Sequence, residues 1–243
     1  METLAGQIAV ITGASSGIGK AIALCLAEQG LTLCLIGRDL TSLELVATRA
    51  RKCSPKIHTY QADLTKDEDL KSLVEGIRDD VPCINILVHC AGVLTAGRIE
   101  TADVTDFDSQ YCSNVRAPYA LTKDLLSMLT SCSGQIVMMN SSIWQQARAE
   151  LSQYAATKYA LKAFTDSLRD EVNGDGVRVL SLFLGRTATP MQANLHTQQG
   201  ASYHPESLIQ PEDVACTLLS LLALPHTSEV TDIHIRPMRK PQT

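Results

Sequence analysis

Aromatic residues are scarce in this sequence: they make up 4% of 243 residues, with one tryptophan and three phenylalanines. Hydrophobic residues still reach 45%, so aliphatic side chains must fill the core of what we expect to be a single domain spanning residues 1–243. Concentrated positive charge is missing too. The formal net charge is -5, and the one tight basic group (Arg236, Arg239 and Lys240) is interpreted as a solvated tail. Nucleic acid is therefore excluded as a main partner, because binding its phosphates requires clustered Lys and Arg.

Long apolar runs are also missing. No stretch approaches the roughly 18 apolar residues of a transmembrane helix, so no membrane partner is expected. The first residues, METLAGQIAVITG, lack the basic start of a signal peptide. The eight cysteines include no CxxC pair, and several lie inside apolar runs. Free thiols in a reducing compartment explain this pattern better than disulfides or zinc, so we expect a cytoplasmic protein with no metal site.

Short β-branched runs alternate with longer helical patterns along the chain. Most of these runs are apolar throughout, which is typical of a parallel sheet covered by helices on both faces. The order predicts an α/β fold with a single doubly wound Rossmann-type domain and a seven-stranded parallel sheet. Residues 186–210 lack periodicity, and we expect a substrate-binding loop there. The predicted strands are 7–12, 31–36, 56–61, 84–89, 135–139, 177–183 and 231–235, and the predicted helices are 17–29, 41–51, 66–78, 107–129, 152–172 and 211–222.

A glycine-rich turn follows the first predicted strand and opens the first helix. Such a turn can direct backbone amides and the positive end of a helix at a pyrophosphate. The spacing GxxxGxG differs from the GxGxxG fingerprint, and the Gly-Lys-Ser/Thr ending of a nucleotide-hydrolysing loop is absent. A turn without a ligand is the alternative, but the position after the first strand favours dinucleotide binding. The predicted cofactor contacts in this turn are Gly13, Ser15, Ser16, Gly17, Ile18 and Gly19.

The end of the second predicted strand indicates which dinucleotide is bound. An acidic residue about 20 positions after the glycine turn usually binds the ribose 2′-hydroxyl of NAD. Here the count reaches Gly37, and Arg38 and Asp39 follow. A guanidinium suits a 2′-phosphate, so the sequence favours NADP(H) as the cofactor. Three alternatives stay open: Arg38 as a solvated turn residue, and Asp39 as a helix cap or as the ribose ligand.

Two later strand ends add candidate cofactor contacts. Asp63 and Leu64 follow the third predicted strand, where the adenine would lie. Ala91 and Gly92 follow the fourth, where the backbone can approach the ribose. The carboxyl ends of parallel strands meet at one edge of the sheet, which places these residues beside the glycine turn.

Tyr154 and Lys158 are one helical turn apart and share a helix face. An ammonium group nearby should lower the pKa of a tyrosine from its ordinary value near 10, so that the phenol can protonate a carbonyl oxygen while hydride reaches the carbon. Tyr119 and Lys123 have the same spacing, but only Tyr154 follows a strand-end serine, Ser141, which lies 13 residues earlier. That serine can donate to the same oxygen. We therefore interpret Tyr119 as a packed helix residue and Lys123 as a solvated one.

The turn TGASSGIG, followed in order by Asn114, Ser141, Tyr154 and Lys158, resembles the short-chain dehydrogenase/reductase family over nearly the whole chain. The resemblance implies that these four residues are catalytic. Ser141 would orient the substrate oxygen, Tyr154 would act as acid and base, Lys158 would also hold the nicotinamide ribose, and Asn114 would keep a water that relays protons. The resemblance also implies that a segment after the sixth strand binds the nicotinamide carboxamide, through Gly185, Thr187 and Thr189.

Two motifs depart from the family's pattern. Its Asn-Asn-Ala-Gly is His89-Cys90-Ala91-Gly92 here, and its Pro-Gly is Leu184-Gly185. The first change removes the usual side-chain contacts and leaves the backbone ones, and the second loosens a turn beside the nicotinamide. Neither change affects the four proton-transfer residues.

The sequence thus predicts an oxidoreductase that transfers hydride between NADP(H) and a ketone or aldehyde, or the matching alcohol. Besides Ser141, the predicted contacts of this small-molecule substrate are Ile143, Trp144 and Met191, with core packing as the alternative for Trp144. An NAD-linked alcohol dehydrogenase and a non-catalytic dinucleotide-binding redox sensor are the alternative functions. Extra apolar positions on helices 107–129 and 152–172, together with the resemblance, predict a homodimer or homotetramer.

Overall fold

The computed structural model describes residues 3–239, so Lys240 of the C-terminal basic group lies outside the described residues. The strands are β1 (Ile8–Thr12), β2 (Thr32–Gly37), β3 (Ile57–Gln61), β4 (Ile86–His89), β5 (Gln135–Ser141), β6 (Arg178–Leu184) and β7 (Asp232–Ile235). The α-helices are α1 (Gly17–Glu28), α2 (Leu40–Ala50), α3 (Asp67–Asp80), α4 (Val104–Tyr111), α5 (Ala117–Thr130), α6 (Ser152–Val172), α7 (Pro190–Gln198) and α8 (Pro211–Leu222).

All seven strands pair in parallel, in the order β3-β2-β1-β4-β5-β6-β7. The predicted doubly wound Rossmann-type domain is therefore confirmed. The strand order reverses at β1, which lies between β2 and β4. In such sheets a crevice opens beyond the carboxyl ends of the strands at this point, and ligands bind there.

Aliphatic side chains cover both faces of the sheet. Val88 and Val137 belong to a cluster with α1, α2 and α8, whereas their neighbours Leu87 and Ile136 belong to a second cluster with α3, α5 and α6. This alternation follows from the two-residue period of a strand. Each fully buried Leu, Ile or Val stabilises the fold by about 1.5–3 kcal/mol, so the rigid core holds the strand ends in place.

The prediction of one helix over 107–129 is wrong. Helix α4 begins at Val104, and a π-helical turn, Cys112–Arg116, separates it from α5. Pro118 explains the break, since proline has no amide hydrogen and its ring clashes with the carbonyl four residues earlier, here that of Asn114. Isolated π turns of this kind are frequent at functional sites.

The prediction of an irregular loop over 186–210 is also wrong. The segment contains α7 and a 3₁₀ turn, Pro205–Ser207, and Thr187 pairs with Ile209. The hydrophobic period of the sequence does not indicate α7, because this helix buries only Leu195 and His196 and so has no apolar stripe. A Thr before a Pro, a good helix start, was the available signal.

Candidate active site

The glycine turn brings the ends of β1 and β4 into contact. Gly13 and Gly17 have positive φ angles of 65° and 51°, which side chains other than glycine rarely adopt. A Cβ on Gly13 would lie 2.9 Å from the backbone nitrogen of Ala91, and one on Gly19 would overlap the carbonyl oxygen of Gly13. Only glycine lets the start of α1 lie this close to the strands. The resulting backbone cradle at a helix N-terminus fits a pyrophosphate.

Thr12, which the sequence analysis did not single out, holds this cradle together. Its Oγ1 accepts hydrogen bonds from the backbone nitrogens of Cys90 at 3.0 Å and Ala91 at 3.1 Å. The bonds join the end of β1 to the backbone after β4. The position of a hydroxyl residue directly before Gly13 was the signal that could have found it.

The segment after β6 folds back over the glycine turn. Thr189 Cγ2 lies 3.2 Å from where a Cβ of Gly17 would be. Thr189 also caps α7 by accepting a hydrogen bond from Gln192 N at 3.2 Å, and the buried Thr187 donates to the Gly185 carbonyl at 3.1 Å. A residue predicted on the phosphate side, Gly17, and one predicted on the nicotinamide side, Thr189, are therefore in contact. The partly buried Met191 follows in the first turn of α7.

At the end of β2, Arg38 is exposed and Asp39 caps α2. Asp39 accepts hydrogen bonds from the backbone and side chain of Ser42, at 3.1 and 3.0 Å, and these bonds lower the pKa of its carboxyl. Of the alternatives for Asp39, the helix cap is therefore the one observed. Ser15 lies near this strand end, since its Oγ is 3.4 Å from where a Cβ of Gly37 would be.

Asp63 and Arg38 border one open cavity of about 790 Å³. Burial raises the pKa of the Asp63 carboxyl, but hydrogen bonds from Thr65 and the nearby charges of Arg38 and Lys66 outweigh it, and the net pKa is lowered. Leu64 is buried, which leaves its backbone as the group available to a ligand.

Ser141, Tyr154 and Lys158 come together at the carboxyl end of β5. Ser141 is the last residue of the strand, which is two residues longer than predicted, and the other two lie in the first turns of α6. Lys158 Nζ donates to the Met139 carbonyl at 2.9 Å and lies 5.7 Å from the centroid of the Tyr154 ring. Ser141 Oγ accepts a hydrogen bond from Ile143 N at 3.3 Å. The chain thus places a hydroxyl, a phenol and an ammonium group side by side.

The pKa of Tyr154 is raised in the structure, whereas the sequence analysis expects it to be lowered. Burial, which disfavours the phenolate, raises this pKa to about 12, and a hydrogen bond with Ser141 opposes the rise only in part. Lys158, whose Nζ lies 5.7 Å from the ring centroid and donates to the Met139 carbonyl, does not reverse this rise. Burial also lowers the pKa of Lys158 to about 8, against a smaller opposing effect of Cys90. At neutral pH the phenol is therefore protonated.

Asn114 lies on the π turn, and its side chain is buried. Its Oδ1 accepts from Val93 N at 2.8 Å, and its Nδ2 donates to Val93 O at 2.9 Å and to Thr157 Oγ1 at 3.1 Å. Gly92 permits this approach, since a Cβ there would lie 3.0 Å from Asn114 Oδ1. Both amide hydrogens are thus used to join the segment after β4 to α6.

Two of the three residues that depart from the family's pattern are His89, which is buried, and Cys90, which is partly buried. His89 Nε2 lies 2.9 Å from Thr122 Oγ1, and burial lowers the pKa of the imidazole to about 3. Burial raises the pKa of the Cys90 thiol to about 12, with partial opposition from Lys158. At neutral pH both side chains are uncharged and cannot act as ionic ligands.

Replacing His89 should make the fold more resistant to acid. The unfolded imidazole takes up a proton below pH 6.5 and the folded one only near pH 3, so folding stability falls as the pH drops between these values. This difference corresponds to about 4–5 kcal/mol. His89→Gln keeps a donor near Thr122 without titrating, and urea denaturation at pH 7, 5 and 4 should show a smaller loss of stability for the variant. The exposed His204, changed to Gln, is the control, and parallel pH profiles for His89→Gln and wild type would contradict the argument.

The predicted substrate contacts Ile143 and Trp144 are engaged in packing. Ile143 is buried. The Trp144 ring lies 5.2 Å from Phe183 and 6.2 Å from His234 between centroids, and Lys162 Nζ lies 5.1 Å from its centre. These contacts favour the packing alternative for Trp144.

Tyr119 is not a packed residue, contrary to prediction. It is 54% exposed on α5 and touches Phe164, with 5.2 Å between ring centroids, because its side chain points away from the sheet. Lys123 is exposed, as expected. The second Tyr-Lys pair therefore lies on the outer surface, apart from Ser141.

The fold and the glycine turn are those of the Rossmann type, which is common among dinucleotide-binding proteins. A profile of the family described as short chain dehydrogenase matches residues 7–200. This chain belongs to that family and is an oxidoreductase. It is 32% identical over 240 residues to a protein of Staphylococcus saprophyticus named an uncharacterized oxidoreductase, and the match covers 98% of this chain and 100% of the relative.

Solved structures agree with this assignment. L-sorbose reductase of Gluconobacter frateurii, complexed with NADPH and L-sorbose, is 25% identical with a TM-score of 0.88, and the match covers 97% of each chain. A 3-ketoacyl-(acyl-carrier-protein) reductase of Brucella melitensis, complexed with NADH, is 26% identical with a TM-score of 0.83, over 95% of this chain and 98% of that one.

Within residues 3–239, no helix is long and apolar enough to cross a membrane. In the same range, no three His, Cys, Asp or Glu side chains gather where they could hold a metal ion.

Proposed function

We propose that this protein is an NADP(H)-dependent reductase of ketones or aldehydes, with Tyr154 as the proton donor. The observation that carries the proposal is that Ser141, Tyr154 and Lys158 come together at the carboxyl end of β5. This is the edge of the parallel sheet at which the glycine turn follows β1. A bound nicotinamide cofactor would supply or accept the hydride. The chain's own residues would hold the carbonyl oxygen and deliver the proton to it.

In this proposal Tyr154 donates its proton to the substrate oxygen, and Ser141 donates a hydrogen bond to the same oxygen. Burial raises the pKa of Tyr154 to about 12, so the phenol carries at neutral pH the proton that it would donate, and the bound cofactor and substrate would have to lower this pKa for the transfer. Lys158, whose ammonium group is held by the Met139 carbonyl, would hold the nicotinamide ribose and restore the proton.

Asn114 has a positioning role in this proposal. Its amide hydrogens bind Val93 and Thr157, and one lone pair of Oδ1 binds the Val93 amide. The family resemblance implies that Asn114 also keeps the water that relays protons to Lys158. Gly185, Thr187 and the hydroxyl of Thr189 would bind the carboxamide, and Met191 with the rest of 186–210 would border the substrate.

Turnover assays test this function against its two alternatives. A panel of ketones and aldehydes would be assayed with NADPH and with NADH, and cofactor binding would be followed by nicotinamide fluorescence. Reduction that is faster with NADPH supports the proposal, and preference for NADH would indicate an NAD-linked alcohol dehydrogenase. Binding of either cofactor with no turnover on any substrate would indicate a redox sensor.

Arg38 is the proposed ligand of the 2′-phosphate, because it is exposed at the end of β2 and the neighbouring acid, Asp39, is engaged as a helix cap. Arg38→Asp replaces a bidentate donor by a repelling charge. We expect the Kd of NADPH to rise about 100-fold and that of NADH to change by less than about threefold. Fluorescence titration measures both, with Arg49→Asp, an exposed arginine on α2, as the control for charge. Equal losses for the two cofactors would refute this role.

Assembly into a homodimer or homotetramer is part of the proposal. The outer surface of α4, α5 and α6 exposes Phe107, Tyr111, Tyr119 and Tyr159, each between 38% and 54%. Exposed aromatic side chains grouped on neighbouring helices would suit a surface for association between copies of the chain. The cytoplasmic location expected from the free thiols stays a prediction.

A further inference from the structure

The 92–103 segment, which joins β4 to α4, contains no helix or strand. It nevertheless has a defined position, because side chains from several elements bind its backbone. Asn114 binds Val93 at one end, as described above. Glutamine side chains bind the rest, and the proposed mechanism does not use them.

The side chains of two glutamines form a chain of hydrogen bonds that starts and ends on this segment. We call this chain of hydrogen bonds, made by Gln110 and Gln153, the relay. Gln110 Oε1 accepts from Thr95 N at 3.2 Å, and Gln110 Nε2 donates to Gln153 Oε1 at 3.0 Å. Gln153 Nε2 then donates to Asp103 O at 2.9 Å. The relay therefore joins both ends of 95–103 to α4 and to the residue directly before Tyr154.

Burial fixes which atoms, oxygen or nitrogen, the two glutamines present to each of their partners. Gln110 is 0% exposed, and a buried amide left without partners is costly. Since the Thr95 amide can only donate, Gln110 must present its oxygen to Thr95 and its nitrogen to Gln153. Gln153 must in turn present its oxygen to Gln110, which directs its nitrogen to the Asp103 carbonyl. Each bond thus orients the next.

Two more contacts show where the segment lies. Gly97 N donates to Glu150 O at 2.8 Å, and Ala96 N donates to Gln198 Oε1 at 3.5 Å. Glu150 belongs to the stretch between Ser141 and Tyr154, and Gln198 ends α7. The segment therefore lies between the stretch that leads to Tyr154 and the helix that begins beside the glycine turn.

We propose that Gln110 and Gln153 are positioning residues that hold residues 95–103 as one wall of the substrate pocket, aligned with Tyr154. This inference rests on the proposed function, since it concerns the substrate of that same site. The relay binds no part of the cofactor crevice, so it acts on the substrate and not on the dinucleotide.

Gln110→Met and Gln153→Met remove the relay and roughly keep side-chain volume. We expect each to raise the KM for the best carbonyl substrate about tenfold, with a smaller loss of kcat and no change in the Kd of NADPH. Because both break one relay, the double variant should be no worse than the worse single variant. Gln29→Met, an exposed residue at the end of α1, is the matched control. Additive losses, or a change in NADPH binding, would overturn the proposal.

Trypsin cleavage after Arg98 tests the relay without activity. This side chain is 68% exposed on the segment, and release of the segment in Gln110→Met should speed cleavage there about tenfold. Unchanged cleavage overturns the relay, and faster cleavage with an unchanged KM overturns its role toward substrate. A wild-type protein that reduces no carbonyl compound would contradict the proposed function, and the relay itself would still be decided by cleavage.

Discussion

Tyr154→Phe should lose hydride transfer by about 10²–10⁴-fold, the usual contribution of a positioned acid. Phenylalanine retains the ring that Lys158 contacts, with 5.7 Å between Nζ and the ring centroid, and removes only the hydroxyl. Folding and NADPH affinity should therefore stay close to wild type. Single-turnover kinetics with NADPH and the best carbonyl substrate measure the loss, and circular dichroism and fluorescence titration measure the two quantities that should not change.

The chain contains its own control for this experiment. Tyr119 precedes Lys123 at the same spacing but lies on the outer surface, 54% exposed. Tyr119→Phe should leave the rate within about twofold. Wild-type rates in Tyr154→Phe would show that another group supplies the proton, whereas equal losses in both variants would point to a general effect on the fold.

Lys158→Met should abolish most activity and yet stabilise the fold. Lys158 is 6% exposed, and burial lowers its pKa from 10.5 to about 8. Keeping the ammonium charged at neutral pH therefore costs the folded state about 3 kcal/mol. Loss of the hydrogen bond to Met139 would offset about 1 kcal/mol of the gain. We expect the variant to be more stable by about 1–2 kcal/mol at pH 7, with turnover reduced about 100-fold or more.

The pH dependence of folding stability distinguishes removal of the buried ammonium charge from improved packing of the methionine as the cause of the stabilisation. Between pH 8 and 10.5 the unfolded lysine still holds a proton that the folded one has released, so the stability of the wild type should rise with pH in this window. The variant lacks this rise, and its advantage should shrink toward pH 10. Thermal denaturation at pH 7, 8.5 and 9.5 would measure it, with Lys123→Met as the exposed control. A constant advantage at all three pH values would contradict the charge argument.

Local patterns in the sequence predicted most of the fold. Apolar runs located all seven strands, and the glycine spacing located the turn after β1, because apolar runs and glycine spacing are patterns of residues close together in the sequence. The four-residue spacing of Tyr154 and Lys158 likewise predicted that they share a face. Helix α7 escaped notice because it buries too few side chains to show a period.

Contacts between distant residues decided the rest. The sequence by itself determined the parallel α/β fold class, the glycine turn and the spacing of the Tyr154–Lys158 pair, since each follows from the order and spacing of residues along the chain. Only the tertiary structure raised the pKa of Tyr154 and lowered that of Lys158, and only it joined Gln110 to Gln153, 43 residues apart. Burial and hydrogen bonding depend on what packs around a side chain, and that surrounding comes from elements far away along the chain.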